Sequence, residues 1–171
     1  MPALDAAAIQ AALRVRFGEP IGDLVGTGRD ASVAIPPAAI AEVCRFVRSE
    51  PSLAFDCLSN LSGVDYPKRN CIEVVYHLHS YTHRHWIVLK VAAPRDNPVV
   101  PTVSDVWSHA DWQEREVFDL LGVTFTGHPD LRRLLMPEDW PGHPLRKDFV
   151  EPEEWHGIST SRESLLKTKG A

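Results

Sequence analysis

Glu114, Glu116 and Asp119 stand close in sequence to His128 and His143. These are the residue types of general acid–base chemistry, which needs carboxylates whose pKa values are pushed apart inside a cleft. Arg115 precedes Asp119 by one helical turn, a spacing that suits an intrahelical ion pair holding Asp119 ionised. The expectation is therefore a structural role for these acids rather than catalysis. His77, His79, His83 and His85 form a second constellation. Alternate strand positions put His77 and His79 on one face, and a hairpin could bring His83 or His85 opposite them. Zinc would need three or four such ligands converging at about 2.0–2.1 Å. The plainer reading is the polar face of a hairpin, because no Cys, Asp or Glu interrupts the histidines. A third group interleaves Arg132, Arg133, Arg146 and Lys147 with Leu131, Leu134, Leu135, Met136 and Trp140. Arginine and tryptophan join apolar area to directed hydrogen bonds and so recur in binding hot spots. The same cations could instead pair internally with Asp130, Glu138, Asp139 and Asp148. Composition leaves both readings open.

Several chemistries lack their usual parts. No Gly-x-Gly-x-x-Gly follows a strand and no Gly-x-x-x-x-Gly-Lys occurs, so the backbone cradle for nucleotide phosphates is missing. No Gly-x-Ser-x-Gly elbow supports a hydrolase. Cys44, Cys57 and Cys71 are odd in number and never paired as Cys-x-x-Cys, which suggests buried, reduced thiols in a cytosolic protein. Three thiols also fall short of the four that iron–sulfur clusters usually take. A formal net charge of -5 disfavours nucleic acid and anionic lipid as partners. The N-terminus lacks the basic start and apolar run of a signal peptide. No apolar stretch approaches the roughly 20 residues that span a bilayer, so a membrane connection is expected only through a partner.

The elements that must position these residues can be read from periodicity. Asp5 caps a helix with Ile9, Leu13 and Phe17 four apart and Gly18 as its stop. Two short strands at 21–26 and 31–35 follow. Pro36-Pro37 then opens a helix whose apolar face is Ile40, Val43, Cys44 and Val47, ended by Pro51. Leu53, Phe55 and Cys57 alternate as a strand, and 63–70 reads as a loop with Asp65, Pro67 and Asn70 as turn formers. The clearest hairpin sets Ile72, Val74, Tyr76 and Leu78 against Ile87, Leu89 and Val91. Asp111 reads as the cap of a further helix, with Glu114 at the capping-box position, Val117, Leu120 and Leu121 buried, and Gly122 as stop. The order α-β-β-α-β-β-β-α describes an α+β fold with helices packed on a mainly antiparallel sheet. Eight of the 14 prolines lie between Pro94 and Trp155, so a segment of short helices and extended loops is expected there. Residues 1–150 are read as one domain with its signature at 111–149, and 151–171 as an extended tail that orders against a partner.

The segment 114–149 has a recognisable pattern. Glu114-Arg115-Glu116 is followed by Asp119, Leu120-Leu121, His128, Arg132 and Leu134-Leu135. Gly127-His128-Pro129 is echoed by Gly142-His143-Pro144, and the second triplet continues through Leu145, Arg146, Lys147, Asp148 and Phe149. These residues resemble the C-subunit family of proton-pumping NADH:quinone oxidoreductase, respiratory complex I. The upstream fragments Gly63-Val64-Asp65-Tyr66-Pro67 and Val75-Tyr76-His77-Leu78 resemble it more weakly. The resemblance implies a soluble peripheral-arm subunit on the cytoplasmic face of a bacterial inner membrane. It further implies that the chain docks on the neighbouring D-type subunit and has no catalytic residue of its own. Flavin, iron–sulfur clusters and quinone would all reside in neighbouring subunits. Within it, Arg115, Arg132, Arg133, Arg146 and Lys147, with Trp140, are expected to position the segment and contact a neighbour. His128 and His143 are expected to fix loop turns. Related subunits also serve membrane-bound hydrogenases and deazaflavin or ferredoxin:quinone oxidoreductases, so the parent machine stays open. An end at Ala171 is expected for a free-standing protein rather than a fusion of the C-type and D-type subunits.

Overall fold

A computed structural model of the chain describes residues 3–160. Helix α1 (Ala6–Phe17) is capped as expected: the Asp5 carboxylate accepts from the Ala8 amide, and Gly18 ends the helix at φ 75°. Helix α2 (Ile40–Ser49) buries Ile40, Val43, Cys44 and Val47, the predicted stripe. The strands β1 (Leu24–Val25), β2 (Ser32–Ala34), β3 (Cys57–Tyr66), β4 (Cys71–His79) and β5 (Trp86–Pro94) form one sheet in the order β1-β2-β5-β4-β3. Within this sheet only β2 and β5 pair in parallel. Every second residue of β4, from Ile72 to Leu78, is fully or almost fully buried with Leu89 and Val91 of β5 against Ile9, Leu13, Val43 and Val47. An α+β architecture on a mainly antiparallel sheet is thus observed.

Three departures have physical causes. First, β3 begins at Cys57 and runs on through Tyr66, where a loop over 63–70 was expected; only Pro67–Arg69 turns. Asp65 is not a turn former here. Its carboxylate is buried and accepts two hydrogen bonds from Arg95, at 2.8 and 3.0 Å, and one from the Lys147 amide at 2.8 Å. Gly63 marks a close approach instead of a turn. A Cβ there would lie 2.3 Å from Leu121 Cδ1 and 3.1 Å from Val117 Cγ1 of α3 (Ala110–Leu121), which lies across the strand.

Second, β6 (Val99–Pro101) and β7 (Thr124–Thr126) pair in parallel on either side of α3. Pro98 and Pro101 conceal this unit in the sequence, because proline reads as a breaker although strand ends tolerate it. Third, among the described residues no helix follows Leu121, so the expected short helices after α3 are replaced by loops, turns and short strands. The expected tail includes a small hairpin, β8 (Glu154–Trp155) with β9 (Ile158–Ser159). Its Trp155 ring lies 5.6 Å from Trp140. Residues 161–171 of that tail lie outside the described residues. Cys44 and Cys71 are buried, while Cys57 is half-exposed.

Candidate functional site

Helix α3 is the axis of the signature segment, and its polar residues are arranged differently from the sequence expectation. His109, not Asp111, occupies the N-cap position, and no side chain caps the helix there. Glu114 makes no capping box. It turns into the interior, accepting from the Thr102 hydroxyl at 2.5 Å and the Val103 amide at 2.7 Å. Glu114 is fully buried, and burial pushes its pKa up to about 7 against the opposing pull of those two hydrogen bonds. The carboxylate therefore ties α3 to the strand-to-helix connection after β6, a bond that periodicity cannot reveal.

Asp119 is equally buried but electrostatically opposite. Burial raises its pKa, yet three backbone amides and one guanidinium outweigh that and hold it below the usual carboxylate range. Asp119 Oδ2 accepts from the amides of Leu134, Leu135 and Met136 at 3.0, 2.7 and 2.9 Å, while Arg133 Nη1 lies 3.1 Å from Oδ1. Arg133 continues to the carbonyls of Trp140 and Gly142, both at 3.0 Å. The predicted Arg115–Asp119 pair does not form. Arg115 instead donates to the carbonyls of Arg132 and Arg133 and stacks its guanidinium over Trp112 at 4.9 Å. The intrahelical spacing is right, but the loop amides and Arg133 hold the Asp119 carboxylate, while Arg115 is drawn to loop carbonyls.

The two Gly-His-Pro triplets clamp opposite ends of α3. His128 accepts from the Asp130 amide through Nδ1, at 3.1 Å. Its protonated Nε2 faces the Asp111 carbonyl at 3.2 Å, with the Asp111 carboxylate also at 2.9 Å. His143 donates from Nδ1 to the Asp119 carbonyl at 2.8 Å, and burial lowers its pKa. Its ring sits against Gly122, the left-handed C-cap at φ 76°, where a Cβ would come within 2.5 Å of Nε2. Gly127 and Gly142, both at positive φ, and the partner prolines Pro129 and Pro144 bend the chain around these imidazoles. Arg146 donates from Nε to the Leu121 carbonyl at 2.7 Å. Lys147 contributes its amide to Asp65 and leaves its side chain exposed. Arg132 is exposed and pairs with Asp130 at 2.9 Å. The cation cluster is therefore mostly consumed internally, though largely by carbonyls and Asp119 rather than by the four acids expected.

Sequence reasoning misses the Asp65–Arg95–Asp148 bridge, in which Arg95 joins β3 to the end of the signature segment. The Arg95 guanidinium holds both carboxyls below their usual range. The one signal available is the fragment Gly63 to Pro67, whose pattern stands out although Asp65 within it reads as a turn former.

Residues 33–154 match the model of the family described as respiratory-chain NADH dehydrogenase, 30 Kd subunit. The chain belongs to this family. The C subunit of the NADH-quinone oxidoreductase of Roseiflexus sp. (strain RS-1) is 49% identical over 139 residues, covering 81% of this chain and 80% of the relative. A chain of an archaeal membrane-bound sulfane sulfur reductase superposes with TM-score 0.71 at 27% identity, covering 84% of this chain and 85% of its own length. The trypsin-resistant fragment (1-134) of Nqo5 superposes with TM-score 0.59 at 31% identity, over 73% of this chain and 98% of the fragment. Membership of the NADH dehydrogenase 30 kDa subunit family makes the chain a subunit of an oxidoreductase complex.

The histidine hairpin does not form the metal site that is the rival to this reading. His79 stacks on Trp86 at 3.7 Å, His83 Nε2 meets the Pro51 carbonyl at 2.8 Å, and His85 Nε2 meets the Leu53 carbonyl at 2.6 Å. His85 Nδ1 additionally accepts from the Leu4 amide. The His79, His83 and His85 rings are thus committed to other groups, and no cluster of three or more candidate ligands exists among the described residues.

Proposed function

We propose that this chain is a peripheral-arm subunit of a proton-pumping NADH:quinone oxidoreductase. In this reading it docks on the D-subunit homologue and carries no catalytic residue of its own. The observation that supports a scaffold is the Asp119 cradle. One buried carboxylate gathers Arg133 and three consecutive amides, fixing residues 134–136 so that Leu135 projects into solvent at 62% exposure. Leu145, also exposed, is fixed nearby through its amide on the Leu120 carbonyl. Rigid apolar side chains held above a saturated ion network suit a docking surface, since preorganisation reduces the entropy lost on binding. A general acid–base pair would instead need open access to its carboxylates. The same reading assigns flavin, iron–sulfur clusters and quinone to neighbouring subunits, and has the chain sit on the cytoplasmic side of the bacterial inner membrane. No helix among the described residues is long and apolar enough to cross a membrane, which fits attachment through partners.

The likeness to a sulfane sulfur reductase chain favours a second reading, in which the same subunit serves a related respiratory machine with another electron donor. Affinity purification of the tagged chain from its native membranes tests both. Recovery of a D-subunit homologue with NADH-binding flavoprotein subunits is the expected result. Recovery of the D-subunit homologue with a hydrogenase or sulfur-reducing partner would select the second reading, and recovery of neither would remove both.

A further inference from the structure

The five-stranded sheet has two very different edges. β1, at one edge, is two residues long. β3, at the other, is ten residues long, and among the described residues every backbone–backbone bond it makes is to β4. The start of that edge is closed by the irregularity between Leu58 and Asn60 and by the His109 ring on the Leu58 carbonyl at 2.6 Å. Its far end is closed by the Arg95 and Lys147 contacts to Asp65. Between them, residues 60–64 contain no charge and no proline, the usual guards of an exposed edge.

Beside this open stretch runs a groove of about 160 Å³ between β3 and α3, lined by Gly63, Leu120 and Leu145, with Glu116 at its rim. Gly63 keeps the floor low, because any side chain there would collide with Leu121. Leu145 is 55% exposed, and Trp112 lies exposed one turn before Glu116. The Glu116 carboxylate is exposed and forms no ion pair among the described residues, unlike Asp119, Asp130 and Asp148.

We infer that residues 60–64 of β3 accept an extended segment of a neighbouring subunit by strand addition. An aliphatic side chain of that segment enters the groove over Gly63, and a lysine or arginine meets Glu116. The occupant is a heterologous chain, since an identical β3 edge paired with itself would bring no cation to Glu116. Main-chain bonds would supply affinity, and the groove and Glu116 would set register. This rests on the reading that the chain is a subunit of a complex.

The test places a photo-crosslinking amino acid at Asn60, whose side chain is exposed, and compares amide exchange of the purified native complex with that of the full chain alone. Crosslinks to one continuous segment of another subunit are expected, with amides of 60–64 exchanging at least about tenfold slower in the complex. Glu116→Lys should lower the yield of complex while the free variant melts as the wild type does. Crosslinks confined to this chain's own residues or to a second copy would overturn the inference. So would unchanged exchange at 60–64 in a complex that co-purifies fully. That last result would leave the subunit reading intact, whereas failure to co-purify at all would remove the subunit reading first.

Discussion

The two halves of the molecule are ordered by different forces. From α1 to β5 the structure follows apolar periodicity, and most of its buried side chains are apolar, with Asp65, Glu73 and His85 among the exceptions. From β6 onward the chain is ordered largely by ionisable groups donating to, or accepting from, the backbone. Glu114, Arg115, Asp119, Arg133, His143 and Arg146 all bind main-chain atoms. Hydrocarbon packing is cooperative and forgiving of volume-conserving exchange. A carboxylate that collects several amides is not, because its loss strands every donor at once. The first kind of order builds a platform, and the second holds an irregular surface still upon it.

Asp119→Ala should break the second half most severely. It leaves Arg133 and the amides of 134–136 without their acceptor, and removing one side of a buried charged pair costs about 3–5 kcal/mol. Chemical denaturation of the isolated chain measures this. A loss below about 1 kcal/mol would mean the cradle is dispensable.

Glu114 predicts a pH effect of opposite character. Its folded-state pKa lies near 7, above its ordinary value of 4.5. The bonded, protonated form therefore adds stability that is fully present below pH 4.5 and is lost as pH rises through 7. Unfolding free energy should fall between about pH 5 and 8 by on the order of 2–3 kcal/mol from this group. Glu114→Gln should flatten that slope and equal or exceed the wild type at about pH 8. A variant whose profile parallels the wild type would show that Glu114 stays ionised.

At the seam between the halves, Gly63→Ala forces a methyl against Leu121 and should cost about 1–3 kcal/mol by overpacking. Ile72→Val, deep in the sheet, should cost about 0.5–1.5 kcal/mol, the ordinary loss for one buried methylene. If the seam and core variants lose equally little, α3 has room to slide and the contact between halves is soft.

Legibility in the sequence divides along the same line. Helix α2 and the β4–β5 hairpin are readable because their burial is periodic, as Val43, Cys44 and Val47 or Ile72, Val74 and Tyr76 show. Strand β6 is hidden by its flanking prolines, and the second half of β3 by Gly63 and Asp65, both of which mimic turn chemistry. The site residues are legible as a set, but their pairings are not. Nothing in the spacing of Arg115 and Asp119 reveals that loop amides fifteen or more residues away claim the carboxylate. Long-range bonds to backbone atoms leave no residue-type signature at the far end, since every residue but proline offers an amide.

The smallest expected effect on folding belongs to Arg132→Ala. Arg132 is two-thirds exposed, and its pair with Asp130 is an exposed one of the kind that contributes about 0–1 kcal/mol. Its carbonyl, which Arg115 uses, survives the substitution. The isolated variant should therefore unfold within about 0.5 kcal/mol of the wild type. Assembly can respond differently, because a charge that is solvated in the free chain becomes desolvated when a partner covers it, and truncating it then costs about 2–5 kcal/mol. Native gels of solubilised membranes separate the two possibilities. Reduced complex with an unaltered free-chain melt would show that the ion-ordered half presents Arg132 to a neighbour, and normal assembly would mean that Arg132 only decorates the loop that Asp119 holds.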